Sequence, residues 1–241
     1  MSARVVLVTG STSGIGEATA LRFAAAGDTV VFNSARSVEA GERLRASTPG
    51  SHYVQADIAN ADDCLRLIRE VRERCGRLDV LVNNAGTTKV IAHADLAAAT
   101  LDIWREIFEV NVFGTWSLSV AAMDTLRESR GSIVNVSSLA GVRPTGSSIP
   151  YAASKAALNH MTLLLAKVAG PEVRVNAVAP GLVDTPWTSE WDAVRGFVSA
   201  VAPLKRSGTP DDVAEVIMAL ASSSYVTGQV VVVDGGLSMA M

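Results

Sequence analysis

The sequence predicts a doubly wound α/β sheet of about seven parallel strands with helices on both faces. Three observations carry the prediction. Strand-like runs alternate with amphipathic helical patterns along the whole chain. The runs are β-branched and continuous, as strands covered on both faces must be. A glycine-rich turn follows the first run directly and opens a helix, the arrangement that starts a nucleotide-binding βαβ unit.

The strand-like runs, in order, are Val5–Val8, Thr29–Phe32, Tyr53–Val54, Val80–Val82, Ile133–Val136, Val173–Val178 and Val230–Val233. Between the third and fourth, Cys64, Leu67, Ile68, Val71 and Cys75 recur every three or four residues with Arg and Glu on the opposite face, the stripe of a helix packed on a core. Gly27 and Gly76 are placed to stop two such helices. A chain of 241 residues, 49% hydrophobic, suits one domain spanning 1–241, and no linker or internal repeat divides it.

Composition excludes several classes. The 21 Lys and Arg against 24 Asp and Glu leave no basic excess for a phosphate backbone, so nucleic acid is not an expected partner. Cys64 and Cys75 lie about 16 Å apart along one helix, too far for a disulfide. Reduced thiols and the lack of a signal-peptide pattern lead us to expect a cytoplasmic protein. The longest run without a charge or His, Val216–Val233, is broken by Ser222, Ser223, Ser224, Thr227, Gly228 and Gln229 and does not read as a membrane span. No metal site is expected.

The turn Gly10-Ser11-Thr12-Ser13-Gly14-Ile15-Gly16 has a physical job for each glycine: a tight turn, close backbone approach to a pyrophosphate, and close helix–strand packing. The helix it opens offers free N–H groups and a positive dipole end to phosphates. Ligands of such sheets bind beyond the carboxyl ends of the strands. There stand also Arg36, Asp57, Asn84-Ala85-Gly86, Ser138 and Pro180-Gly181. Asp57 suits either an adenine amino group or the cap of the next helix.

Tyr151 and Lys155 are four residues apart, so on a helix they share a face. An ammonium at roughly 4 Å would favour the phenolate by about 4 kcal/mol at an effective dielectric near 20. The spacing therefore predicts a tyrosine whose pKa falls toward neutrality, a proton donor and acceptor at physiological pH.

The Thr9-Gly10…Gly14…Gly16 spacing, Asn83-Asn84-Ala85-Gly86, Asn111, Ser138, Tyr151…Lys155 and Pro180-Gly181 together resemble the short-chain dehydrogenase/reductase family over nearly the whole chain. The resemblance implies a Rossmann-type fold and interconversion of a ketone or aldehyde with an alcohol by hydride transfer. It implies catalytic roles for Ser138, which holds the substrate oxygen, Tyr151, which protonates it, Lys155, which tunes Tyr151 and binds ribose hydroxyls, and Asn111, which supports a water beside the lysine. It implies cofactor contacts from Gly10 to Gly16, from Ser34, Arg36, Asp57, Ile58, Asn84, Ala85 and Gly86, from Tyr151 and Lys155, and from Pro180, Gly181, Val183 and Thr185. Thr185 would meet the carboxamide or a phosphate, or belong to a plain turn with Pro186. Ser137 should point away from the site, because side chains alternate along a strand.

NADP(H) is favoured and NAD(H) remains open. Where NAD binders carry a carboxylate, this chain has Ser34, and Arg36 offers a planar fork to a 2′-phosphate or is simply a loop arginine. The second basic marker of NADP members is missing, since Ser13 stands before the second glycine. The local string resembles 3-oxoacyl-carrier-protein reductases. Rival readings are a non-catalytic nucleotide sensor, which should have lost part of the Ser–Tyr–Lys group, and an NAD-dependent alcohol or sugar dehydrogenase. Enoyl reductases stretch the Tyr–Lys spacing, which here is four. A substrate lid is expected near 186–207; its Trp187, Trp191 and Phe197 either line an apolar pocket or pack the lid. Arg195, Lys205 and Arg206 would meet an acidic carrier or solvent. The last strand, at the sheet edge, implies a homodimer or homotetramer that covers it.

Overall fold

The structure, a computed structural model, describes residues 3–240. Seven parallel strands form one sheet: β1 (Val5–Val8), β2 (Thr29–Ser34), β3 (His52–Gln55), β4 (Val80–Asn83), β5 (Ser132–Val136), β6 (Arg174–Pro180) and β7 (Val230–Val233), in the order β3-β2-β1-β4-β5-β6-β7. The helices are α1 (Gly14–Ala25), α2 (Val38–Ser47), α3 (Ala61–Cys75), α4 (Leu101–Phe108), α5 (Thr115–Ser129), α6 (Ile149–Ala169), α7 (Asp192–Val201) and α8 (Pro210–Ser222). Chain direction across the sheet reverses between β1 and β4, so the crevice for a ligand opens there.

The unbroken apolar strands are explained by two cores. Val5 and Leu7 face α3, α5 and α6, packing with Leu67, Val71, Leu118, Leu126 and Leu165. Val6 and Val8 face α1 and α8, packing with Phe23, Val213 and Ile217. Full burial of a side chain such as Phe23 contributes about 1.5–3 kcal/mol.

Local signals set the helix ends. The Asn60 side chain accepts from the Asp62 and Asp63 amides at 2.9 and 3.3 Å and caps α3; Asp57, the other possibility in the sequence, accepts instead from the Ala59 amide at 3.0 Å. Gly76 ends α3 at φ 76°, a conformation that costs glycine nothing. Ser148 caps α6, and Pro150 lies in its first turn, where a missing N–H is harmless.

Between α4 and α5 the chain takes one π-helical turn, Glu109–Gly114. Gly114 lies so close to the β3–α3 loop that a Cβ there would sit 2.6 Å from the Ile58 carbonyl oxygen. A buried polar chain joins the layers: Asn83 donates to Ser119 at 3.1 Å and to Asn135 at 2.9 Å, and Asn135 donates to Thr162 at 2.9 Å. It pins α5 and α6 to β4 and β5, the strands that carry the site.

Candidate active site

A cleft of about 1260 Å³ runs along the carboxyl ends of the strands. Its floor is the glycine turn. Gly10 and Gly14 have φ of +59° and +57°, where any side chain would be strained. A Cβ at Gly10 would lie 2.9 Å from the Ala85 Cα, so the turn and the segment after β4 touch backbone to backbone. Asn84 fastens them: its side-chain amide donates to the Thr9 and Gly10 carbonyls at 2.9 and 3.0 Å. The Ala85 amide donates to the Thr9 hydroxyl at 3.0 Å.

Most of the expected cofactor residues line this cleft: Gly10, Thr12, Ser13, Gly14, Ile15, Ser34, Arg36, Asp57, Ile58, Asn84, Ala85, Gly86, Tyr151, Lys155, Pro180, Gly181, Val183 and Thr185. Ser11 and Gly16 do not. Ser11 is buried beneath the turn and its hydroxyl accepts from the Asn33 amide at 2.9 Å. Gly16 is pressed against the Gly10 carbonyl, where a Cβ would come within 2.5 Å. Both shape the turn from behind. Ser34 reaches the cleft wall, but its hydroxyl is paired with the Tyr53 hydroxyl at 2.8 Å. Arg36 is exposed beside it, and among the described residues no acid pairs with its guanidinium.

Near the middle of the cleft, Gly86 separates two polar atoms: a Cβ there would be 3.2 Å from Asn111 Oδ1 and 3.5 Å from Lys155 Nζ. Asn111 itself is buried behind the wall. Its carbonyl accepts from the Thr87 amide at 2.8 Å, and its amide donates to the Thr87 carbonyl and the Ser154 hydroxyl, each at 3.0 Å. The π turn aims it at the loop after β4, a placement no periodicity in the sequence marks.

Ser138, Tyr151 and Lys155 meet at the same wall. Ser138 opens a short 3₁₀ turn after β5. Ser137 also borders the cleft, but its hydroxyl is turned to α6, donating to the Lys155 carbonyl at 3.2 Å, and so ties β5 to α6. Gly141 lies hard against α6: a Cβ would sit 2.6 Å from the Lys155 carbonyl carbon. Lys155 Nζ donates to the Val136 carbonyl at 2.9 Å and lies 5.7 Å from the centre of the Tyr151 ring.

The electrostatics correct one expectation. Burial raises the Tyr151 phenol above its ordinary value, and the Ser138 hydroxyl beside it only partly opposes this. Burial lowers Lys155 to about 8. Spacing alone predicted a depressed phenol; burial penalises the charged form of each group and is the leading cause at both. Tyr151 is thus held in its protonated form, the form that gives a proton.

The outer wall comes from the segment after β6. Pro186–Thr188 form a 3₁₀ turn leading into α7. Trp187 packs edge to face on Tyr151, ring centres 6.5 Å apart. Trp191, Val194 and Phe197 also line the cleft. Sequence reasoning missed the facing wall, Thr87, Thr88 and residues 90–93 with residues 145–147, and Leu237 near the C-terminus, which carry no motif. The Thr88 and Ser147 hydroxyls join those two loops at 2.6 Å. Arg195 is bound to Asp184 and Asp192, and Arg206 to Asp212, so neither is an unpaired cation for an acidic partner. No helix of the described residues is long and apolar enough to cross a membrane. Among those residues no cluster of three or more His, Cys, Asp or Glu is placed to hold a metal.

An open parallel sheet whose switch-point cleft joins a glycine-rich turn to a serine, a tyrosine and a lysine defines a nucleotide-binding α/β protein with proton-transfer groups at hand. Comparison with known proteins narrows this. Residues 10–238 match a family model described as enoyl-(acyl carrier protein) reductase. The chain is 56% identical, over 97% of its length and 96% of the relative's, to a Streptomyces violaceoruber protein described as ketoacyl reductase 2 of the granaticin polyketide synthase. It is 39% identical, over 98% of both chains, to the 3-oxoacyl-acyl-carrier-protein reductase FabG of Thermotoga maritima. Among solved structures, a short-chain dehydrogenase/reductase of Brucella melitensis matches with a TM-score of 0.92 at 33% identity, over 97% of this chain and 96% of that one. ElxO with NADP bound matches at 0.90 and 29%, over 98% and 99%. The chain belongs to the short-chain dehydrogenase/reductase family. It is an oxidoreductase of that family that acts on carbonyl groups.

Proposed function

We propose that the protein uses NADPH to reduce a ketone of the 3-oxoacyl or related type to the alcohol. The observation that carries the reading is the convergence of Ser138, Tyr151 and Lys155 on one wall of the cleft, with Tyr151 held protonated by burial. The four-residue Tyr–Lys spacing favours a carbonyl over an enoyl substrate, although the matching family model is described by the latter. The intact Ser–Tyr–Lys group disfavours a mere nucleotide sensor.

The residues fit a dinucleotide. A Cβ at Gly10 or Gly14 would fill the cradle, meeting Ala85 and Thr185, and the N-terminus of α1 faces the place a pyrophosphate would take. Arg36, with no acidic partner among the described residues, would take the 2′-phosphate; Asp57 and Ile58 would flank the adenine. Lys155 would hold ribose hydroxyls. NADPH, when bound, supplies the hydride for the carbonyl carbon. The Ser138 hydroxyl donates to the carbonyl oxygen and turns it toward Tyr151. Tyr151 gives its phenolic proton to that oxygen as negative charge develops. Lys155, buried beneath, supplies positive charge to the phenolate left behind. The turn and helix of 186–207 serve as the lid over the substrate end of a single 1–241 domain.

We also infer a homodimer or homotetramer. The edge strand β7 leaves Val232 36% exposed. Phe113, Trp116 and Val120 make an exposed apolar stripe along α5 and the turn before it, and Leu164 and Val168 another on α6. A second copy would cover these surfaces.

Tyr151→Phe tests the reaction. It deletes one hydroxyl and leaves the ring packed on Trp187, so NADPH affinity is retained while ketone reduction falls about 10²–10⁴-fold. Near-normal turnover in this variant would place the proton donor elsewhere.

A further inference from the structure

The end of the cleft beyond Tyr151 has a chemistry of its own. Trp187, Val194 and Phe197 are each about half exposed, and Val90 more so, yet all four line this one concavity. A single exposed apolar side chain needs no explanation, but a convergent set marks a binding surface. Trp187 stands nearest the reacting group, its ring edge-to-face with Tyr151 at 64°. The indole therefore flanks the space in which a carbonyl must lie to reach the tyrosine.

Charge separates the two ends of the cleft. Of the lysines and arginines, only Arg36 and Lys155 line it. Arg36 follows β2, three strands away from β5, so about 14 Å across the sheet at ordinary strand spacing. Lys155 is buried and donates to the Val136 carbonyl. Of the acids lining the cleft, Glu190 stands in the same segment as Trp187 and Trp191, and Glu106 and Glu109 come from α4 and the turn after it. Lys89 neutralises Glu106 at 3.1 Å, and no ion pair among the described residues holds the other two. A substrate carboxylate beside Trp187 would meet no lining lysine or arginine except the buried Lys155, and it would share that wall with the carboxyl group of Glu190.

We propose that this end of the cleft takes an uncharged ketone with an aromatic or fused-ring body, that Trp187 contacts that body and sets it over Tyr151, and that ketones bearing a carboxylate are rejected. The inference rests on the carbonyl-reduction reading and adds the substrate class to it. An aromatic ring seated against Trp187 gains both apolar burial and a ring–ring interaction; a saturated ring gains only the first.

The test uses the intact protein with NADPH and two pairs of ketones. Methyl levulinate against levulinate isolates charge, and tetralone against cyclohexanone isolates the aromatic body. Expected are a kcat/KM at least about tenfold higher for the ester than for the acid, and a preference for tetralone. Trp187→Ala raises KM for tetralone about three- to tenfold, cyclohexanone much less, and leaves the NADPH dissociation constant in place; Trp187→Phe restores most of the loss. Equal turnover of levulinate and its ester, or an equal loss on all ketones in Trp187→Ala, overturns the inference. If no ketone is reduced, the carbonyl-reduction reading fails, and calorimetric titration with tetralone decides the pocket: saturable binding lost in Trp187→Ala keeps the assignment, and binding that is absent or unchanged overturns it.

Discussion

Gly141→Ala offers a direct test of how the site is assembled. Gly141 ends the turn that carries Ser138, and its Cα faces the backbone of α6 at Lys155. A methyl group there would stand 2.6 Å from the Lys155 carbonyl carbon, 2.8 Å from its oxygen and 2.9 Å from the Ala156 nitrogen. All three are backbone atoms of a helix and cannot rotate aside. Ordinary contact begins at 3.4 Å, so turn and helix must part by about 0.8 Å. Ser138 belongs to the turn, whereas Tyr151 and Lys155 belong to α6, so the whole displacement falls between the groups that must share one substrate oxygen. Misplacement of about 1 Å in a reacting constellation costs on the order of 10²-fold. Overpacking of this kind costs about 1–3 kcal/mol, which for a chain of this size lowers Tm by roughly 2–12 °C. The assay pairs steady-state ketone reduction with NADPH binding by fluorescence and a thermal melt. The expected outcome is a large fall in kcat, a modest fall in Tm and little change in NADPH affinity, because the Arg36 end of the cleft is untouched. A variant with wild-type kcat and Tm would refute the claim that the Gly141–α6 contact sets the Ser138–Tyr151 geometry.

Three further outcomes are expected. Arg36→Ala weakens NADPH about ten- to a hundredfold and leaves NADH almost unchanged; dissociation constants showing that the wild type already prefers NADH would remove the 2′-phosphate role. Lys155, lowered to about 8 by burial, loses its charge as pH rises through that value, so kcat/KM for reduction should be level below pH 8 and decline above it; a profile flat to pH 10 would show that its charge is not needed. The apolar stripes and the β7 edge predict a particle larger than one chain, and light scattering that gives a stable 25.1 kDa species at micromolar concentration would refute this.

The order of elements and the chemistry of the strand ends were legible in the sequence because both are local. Unbroken β-branched runs such as Val5–Val8 and Val230–Val233 report burial on two faces, and a glycine turn after the first run reports the cradle. The four-residue interval from Tyr151 to Lys155 reports a shared helix face. Burial reversed the predicted direction of the Tyr151 pKa, because desolvation depends on everything packed around a group and not on its neighbour in sequence. Tertiary structure alone decided that Ser11 and Gly16 stand behind the turn, that Ser34 spends its hydroxyl on Tyr53, and that Asn60 rather than Asp57 caps α3. It alone brought residues of the 87–93 and 145–147 segments, Trp187 and Leu237 around one cleft. Those segments lie far apart along the chain and follow no period, and only the closing of the sheet and its helices sets the distances between them.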